Sequence, residues 1–477
     1  MKKEHFRLVD TLSREMAEGN LAIFAGAGFS QGAGFVNWKT LLKPIADELD
    51  LDIDKETDLV ALAQYYANVN GANRSKLDQM LVTEFSAKVE VTKNHKILAR
   101  LPIHTYWTTN YDKLIERALE DNEKVADVKH TVKQLATTKL KRDAVVYKMH
   151  GDVEHASDAV LTRDNYERYH VEMQPYITAL SGDLISKTFL FLGFSFTDPN
   201  LDYILSRVRI QYEKHQRQHY CILRKVSQWE NEAQADFEYR ERKEELFKLE
   251  LVRFGIKVVY VDDFQEITTI LEAIEHRYKR QTIFISGAAH DYSPWPASES
   301  EHFVHTLSKA ISKAQFRIIS GFGLGIGSAV ISGVIEQTLM NGQRLDSDQL
   351  ILRPFPQTQT GERPRNELWT EYRRDMLAHA GIALFLFGNS LNEAGEVVLS
   401  EGMREEFDLA VAGGAFVIPV GITGSISADL WKEVMATYDE TKYEHGKKIT
   451  PLLQELGAEG TNLTRAHDVI LNLLPLI

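Results

Sequence analysis

Four short stretches hold the polar and small residues that could carry chemistry. Thr109, Asn110 and Asp112 follow the β-branched and aromatic run Thr105–Thr108, and Ala25, Gly26, Ala27, Gly28 and Ser30 follow a short apolar run that starts near Asn20. His150, with Gly151 and Asp152, follows Ala144–Met149, while Gly193, Ser195 and Asp198 follow Thr188–Leu192. Each cluster therefore stands at the C-terminal end of an expected strand, the place where open α/β sheets bind ligands. Small residues at such turns let backbone N–H groups approach phosphate closely. His150 is placed to face the same crevice as Asn110. Taken singly, the clusters have plainer accounts: Thr109 and Asp112 as caps of the helix near Leu114, His150 as a loop-bonded imidazole. Recurrence at four strand ends favours a site.

A second set lies further along. Gly321, Gly323, Gly325 and Gly327 alternate between an expected strand at 317–320 and a helix running to about Met340. That is a stronger phosphate-cradle pattern than Gly26-Ala27-Gly28. Neither loop has the Gly-Lys-Ser/Thr of a Walker motif, and no acidic residue follows with dinucleotide spacing. Gly287 and Ala288 end another strand, Arg353 and Phe355 follow a third, and Arg373, Gly402 and Glu406 lie on flanking helices. Arg353, Arg373 and Glu406 either converge above the sheet or make ordinary surface ion pairs. Arg373 and Arg374 are adjacent on a helix, so at most one faces a ligand.

The bulk numbers bound the function. At 477 residues the chain suggests two or three domains, and 44% hydrophobic residues suffice for sizeable cores. Lys+Arg 55 against Asp+Glu 68 gives a net charge of -13, which argues against a broad nucleic-acid surface but not against a nucleotide pocket. The single cysteine, Cys221, excludes a disulfide framework and a four-cysteine zinc site, and fits a reducing cytoplasm. No stretch reaches the roughly 20 apolar residues of a membrane span, and the N-terminus lacks a signal-peptide core. No metal, nucleic-acid or membrane partner is expected.

Residues 3–18 have the spacing of an amphipathic helix. Residues 37–100 read as mostly helical, an insertion or lid between the first two strands. Strands at 219–223 and 258–261 flank a charged helix, and the helix at 264–280 ends in Arg277-Tyr278-Lys279-Arg280-Gln281, where the domain boundary is placed. A second α/β pattern then restarts, with a polar loop at 358–367 and a mostly helical end at 425–477. The expected class is α/β: two Rossmann-like three-layer domains with parallel sheets, 1–280 with a helical insertion, and 281–477.

Gly26-Ala27-Gly28-Phe29-Ser30, Thr108-Thr109-Asn110-Tyr111-Asp112, His150-Gly151 and Gly193-Phe194-Ser195-Phe196-Thr197-Asp198-Pro199 resemble, in order, the motifs of the bacterial sirtuin-like NAD-binding family. The set covers about residues 20–215. The second half looks like a SLOG domain, a Rossmann-like nucleotide sensor, and the pairing is similar to the NAD-consuming effectors of Thoeris anti-phage defence.

The resemblance implies roles. His150 is the general base and Asn110 contacts the nicotinamide ribose or orders a water. Gly26–Ser30 holds the pyrophosphate, and Asp112 supports the Asn110 loop. Gly193, Ser195 and Asp198 line the adenosine side. NAD+ is the substrate, cleaved at the nicotinamide–ribose bond without a metal. A cyclic ADP-ribose isomer made by a TIR-domain protein binds the second domain through Gly287, Ala288, Gly323, Leu324, Arg353, Phe355, Arg373, Gly402 and Glu406, and activates a homo-oligomer, tetramer or higher.

Ser390 stands where that family suggests a basic residue. Deacetylating sirtuins carry a four-cysteine zinc module that one cysteine cannot build, which disfavours a protein deacylase. The Pro-Gly-Gly-x-Gly-Thr-x-x-Glu signature of glycosidic-bond-cleaving LOG proteins is also missing from Gly321–Ser328. A non-catalytic nucleotide-binding scaffold is the remaining alternative.

Overall fold

In the computed structural model the chain divides into two compact units, Met1–Glu275 and His276–Ile477. The structure describes residues 1–212, 215–342, 349–355, 363–392 and 394–477, so half of the loop expected at 358–367 lies outside the described residues.

The first unit is built on seven strands: β1 (Leu21–Ala25), β2 (Thr105–Thr108), β3 (Ala126–Lys129), β4 (Ala144–Lys148), β5 (Thr188–Leu192), β6 (His219–Arg224) and β7 (Ile256–Val261). They pair in parallel in the order β3-β4-β2-β1-β5-β6-β7. A parallel sheet is covered on both faces. Accordingly β1, β2 and β5 are buried at every position, with no polar alternation. Phe24, Trp107, Phe189 and Phe191 pack with Tyr176, Leu180, Leu201 and Ile204 into one continuous core. The chain winds outward from β1 in one direction through β2, then returns to β5 on the other side. The ends of β1 and β5 thus mark the reversal of strand order, where such sheets open a ligand crevice.

Between β1 and β2 lie the helices Trp38–Glu48, Leu59–Val69, Ser75–Phe85 and Lys93–Arg100. Leu42, Ile45, Leu62, Leu77 and Leu81 form a core of their own, shared with Tyr111, Ala156 and Leu161. The expected insertion therefore rests on the loops after β2 and β4. Arg74 fastens it there, donating to the carbonyls of Ala156 (3.1 Å) and Ala159 (2.9 Å).

The second unit carries β8 (Thr282–Ala288), β9 (Arg317–Ser320), β10 (Leu350–Leu352), β11 (Ile382–Phe387) and β14 (Phe416–Pro419) in the parallel order β10-β9-β8-β11-β14. Alternate residues of β8 and β11 feed two cores: Ile283, Ile285 and Leu384 on one face, Phe284, Ala383 and Phe385 on the other. Two covered parallel sheets give the expected α/β architecture.

Three features depart from the sequence expectation. β3 is a strand although Asp127 and Lys129 interrupt its apolar pattern. Both are buried, and the pair sits at 2.7 Å with Arg142 on the same carboxylate at 2.9 Å, which is how an edge strand tolerates them. The hairpin β12 (Asn389–Leu391) and β13 (Val397–Leu399) also had no periodic signal, being three residues a side. The polar loop expected at 358–367 gives way at Arg365 to a helix, Arg365–Ala378, which starts directly after Pro364.

Candidate active site and second nucleotide site

The glycines of the first unit meet one another. Gly26 donates its N–H to the Leu192 carbonyl and Gly28 to the Gly193 carbonyl, both at 2.9 Å. Gly193 adopts φ +60°, and a Cβ there would stand 2.0 Å from the Phe29 nitrogen. The turns after β1 and β5 are therefore glycine-rich first because their backbones touch. This corrects the simple picture of a phosphate cradle, because the N–H groups of Gly26 and Gly28 are already bonded. Ala27 and Gly28 remain exposed on the outer side of the turn, and the chain goes straight into a one-turn helix, Ala27–Ser30.

Asn110 is 9% exposed and bound to the same turn. Its side-chain amide donates to the Gly26 carbonyl and to Ser30 Oγ, each at 3.0 Å, and its own N–H is held by Thr108 Oγ1 at 2.9 Å. Its Oδ1 is buried without a hydrogen-bond partner. Thr109 is half-buried beside it. Asp112 accepts the Leu114 N–H at 2.9 Å through Oδ1 from one position ahead of the Lys113 N-cap, while its buried Oδ2 has no partner among the described residues.

His150 lies two residues past β4, as Asn110 lies two past β2, and Thr108 pairs with Lys148 across the ladder. The register therefore brings both side chains to one end of the sheet. His150 is 2% exposed. Its Nε2 is 3.3 Å from Asp198 Oδ2, an ion-pair distance without the alignment of a hydrogen bond, so the nitrogen stays unsatisfied. Burial holds the imidazole below its ordinary pKa, and Asp198 pulls the other way. Asp198 is held on both sides: Oδ1 accepts the Leu201 N–H at 2.9 Å, and Oδ2 accepts Tyr166 Oη–H at 3.2 Å. Tyr166 and Tyr169 meet the His150 ring edge-on at 5.5 and 6.2 Å. Gly151 has φ +94° and lies against Ala159. Asp198, expected on the adenosine side, thus stands beside the histidine. Ser195 is exposed and bonds only Thr197 (2.8 Å).

Sequence reasoning missed several residues here. Lys148 is wholly buried, and its Nζ reaches four acceptors: the carbonyls of Tyr111 (3.1 Å) and Asp112 (2.6 Å), Glu116 Oε1 (3.0 Å) and Asp152 Oδ2 (2.5 Å). Burial disfavours the ammonium, but Glu116 and Asp152 outweigh it and hold Lys148 above its ordinary value. Burial raises Glu116; for Asp152 the burial effect is overcome by Lys148, so it lies low. The signal was visible as a lysine inside the apolar run Ala144–Met149. Asn200, whose buried Nδ2 has no partner, was hidden behind the helix start at Pro199.

In the second unit the glycines again meet: a Cβ on Gly323 would lie 1.8 Å from the Gly287 carbonyl oxygen, and the Leu324 carbonyl accepts the Ala289 N–H at 2.8 Å. Ala288 is half-buried at the end of β8, and the Leu324 side chain is 67% exposed. Arg373 is buried and Arg374 exposed, so only the first faces inward. Arg373 Nη1 donates to Glu405 at 2.5 Å, its Nε is 3.5 Å from Glu406, and its guanidinium sits 5.0 Å over the Phe355 ring. Gly402 is needed beside it, because a Cβ would stand 2.5 Å from Arg373 Nη2. Buried Glu406 accepts from Ser286 Oγ at 2.5 Å, and burial raises its pKa. Arg353 lies apart, 3.5 Å from Asp375. Of the three residues expected to converge, Arg373 and Glu406 do so; Arg353 makes the surface pair.

Comparison with known proteins matches stretches of the chain to two families. Residues 104–247 fit the SIR2-like domain, and 266–476 the Sir2- and TIR-associating SLOG family. The chain is 53% identical over 469 residues to the NAD(+) hydrolase ThsA of Bacillus cereus (strain MSX-D12), covering 98% of each. It is 46% identical to the NAD(+) hydrolase ThsA of Acinetobacter baumannii (strain 532279), covering 97% of this chain and 98% of that one. A defense-associated sirtuin 2 of Bacillus subtilis is 28% identical over 43% of this chain and 22% of its own length. Identity of this extent across both units places the chain in the ThsA NAD(+) hydrolase family.

Proposed function

We propose that the first unit hydrolyses NAD+ at the crevice between β1, β2, β4 and β5, and that the second unit switches it in response to a cyclic ADP-ribose-type nucleotide. The single observation that carries the catalytic reading is the unsatisfied polar set at that crevice. Asn110 Oδ1, His150 Nε2 and Asn200 Nδ2 are buried with no hydrogen-bond partner among the described residues, an arrangement that costs free energy unless a ligand or water completes it.

The chemistry follows from these groups. The bond from ribose C1′ to the nicotinamide nitrogen breaks, and nicotinamide leaves with the bonding electrons as a neutral base. A water oxygen bonds to C1′ and its proton passes to the neutral His150, leaving ADP-ribose. Burial favours the neutral, base-competent imidazole. Asp198 orients the ring and stabilises the imidazolium as it forms. Asn110 Oδ1 accepts a hydrogen bond from the attacking water or the ribose hydroxyl, placing it for reaction. The pyrophosphate lies against the exposed side of the Gly26–Ser30 turn, beside Ala25 and Ala27. Gly193 and Ser195 line the adenosine end, and Asp112 and Thr109 hold the Asn110 loop.

In the second unit, Arg373 is the phosphate partner, with Phe355 stacked beneath it and Gly402 leaving room. Gly287, Ala288, Gly323 and Leu324 offer the backbone edge, and Glu406 accepts a ligand hydroxyl. Arg353 lies at the rim. Activation within a homo-oligomer that depletes NAD+ in anti-phage defence completes the proposal.

Nicotinamide release from NAD+ by the purified protein, with and without cyclic ADP-ribose isomers, tests both halves. Release is expected to depend on an isomer and to fall about 10³-fold in His150→Ala. Isomer binding with no release under any condition would leave a nucleotide-binding scaffold. Turnover that requires acyl-lysine would make the protein a deacylase.

A further inference from the structure

The mechanism above uses two side chains on separate loops, and the sheet alone does not fix one loop against the other. The β2–β4 ladder ends where Met149 donates to the Thr108 carbonyl; beyond it Val153 N–H donates to the Tyr111 carbonyl, Tyr111 Oη–H to the Val160 carbonyl at 2.7 Å, and Lys113 pairs with the exposed Glu154. Asn110 and His150 project beyond the ladder. Catalytic groups must be held to about half an ångström by the shell behind them.

Lys148 supplies that shell. It is the last residue of β4 and lies two positions before His150, yet its ammonium sits under the other loop, on the carbonyls of Tyr111 and Asp112, directly after Asn110. The same ammonium pairs with Glu116, in the first turn of the helix Leu114–Asp121, and with Asp152, whose other oxygen holds the Glu154 N–H at 2.9 Å. Three protons thus tie together the loop after β2, the helix that follows it, and the loop after β4. None of these contacts is made to a ligand-facing atom identified above.

We propose that Lys148 is the positioning residue that sets the Asn110 loop against the His150 loop, and so tunes turnover without binding substrate. The inference rests on the reading of Asn110 and His150 as the reacting pair. A purely structural ion cluster would protect folding and leave the turnover of folded molecules unchanged. A positioning role lowers kcat and spares KM.

Lys148→Met alone leaves Glu116 and Asp152 buried without their counter-ion, and the chain then risks failing to fold. The neutral triple variant K148M/E116Q/D152N removes all three charges with little change of shape. Lys148→Arg keeps the charge but displaces the donors. Both are assayed as the full chain for nicotinamide release, with the isomer that activates the parent, per folded molecule judged by circular dichroism. The expected result is a kcat at least 100-fold down in the triple variant and about tenfold down in Lys148→Arg, with KM for NAD+ within threefold of the parent in both. A folded variant of either kind that keeps kcat within threefold overturns the proposal, as does a loss carried wholly by KM. His150→Ala run alongside separates the two failures: activity that survives there sinks the site reading itself, whatever the lysine variants do.

Discussion

The two units share close glycine packing at their strand ends but differ in how far the polar groups around it are satisfied. Each packs glycine turns together at its strand ends: Gly26 and Gly28 against Gly193 across the reversal of strand order in the first sheet, Gly323 against Gly287 between the neighbouring strands β9 and β8 in the second. Around the first seam, Asn110, Asp112, His150 and Asn200 each keep a buried polar atom without a partner. Around the second, most polar groups are paired: Ser286 bonds Glu406, Arg373 bonds Glu405 while its buried Nε, 3.5 Å from Glu406, keeps no hydrogen-bond partner among the described residues, and Asn389 uses its whole amide on His290, Asp291 and Ser425. Unsatisfied groups suit a site that must grip a reacting molecule. Satisfied groups suit a sensor, because a ligand must exchange internal bonds for its own, and that exchange is what a two-state switch can use.

The sharpest way to break the comparison is at the shared device, the glycine seam. Gly193→Ala forces a side chain into φ +60° and into the Phe29 backbone. Overpacking and the left-handed backbone together are expected to cost about 2–4 kcal/mol. The thermal midpoint of the first unit should fall by roughly 5–10 °C, and NAD+ hydrolysis should go with it. An unshifted midpoint would show that the seam yields easily and that its glycines serve the ligand instead.

That seam also shows what the sequence could and could not say. Both parallel sheets, the helical insertion and the strand-end location of Asn110, His150 and Gly193 were legible, because apolar runs bounded by small and polar residues fix where strands stop. Why the glycines are there was not legible, since a close approach of two turns distant in sequence leaves the same Gly-x-Gly as a phosphate cradle. Asp198 was read as a ligand contact, and its helix-capping oxygen hid the second oxygen beside His150. β3 and Lys148 were missed for one reason: buried charges break the hydrophobic pattern, and their partners, Arg142 for Asp127 and Glu116 for Lys148, come from elsewhere in the chain.

The sensor side is sharpened by Arg373→Gln. The guanidinium is buried against Phe355 and paired with Glu405, so a neutral amide loses the charge that would meet a phosphate. Losing a buried charge-assisted contact costs about 2–3 kcal/mol, equivalent to roughly 30–150-fold in affinity. Isothermal titration with a cyclic ADP-ribose isomer should show that weakening, and the concentration for half-activation should rise in parallel. Weakened binding with an unchanged activation curve would detach the second site from the switch.

The smallest effect, and the most diagnostic of the first site, is a shift of pH profile. His150 is buried, which places its pKa below the ordinary 6.5, and Asp198 opposes that shift. The neutral ring is the base, so kcat/KM should stay level above the depressed pKa and fall below it. Asp198→Asn removes the charge that acts on the ring among the described residues; Tyr166 and Tyr169, its other titratable neighbours, stay neutral because burial raises both well above their ordinary value. Without the carboxylate the imidazolium is less favoured, the pKa falls further, and the acid limb moves to lower pH. At neutral pH the variant should lose about tenfold in kcat/KM, through the lost orientation and the weaker base. A limb that stays in place, or moves up, would mean that Asp198 does not act on His150 during turnover and belongs with the adenosine end after all.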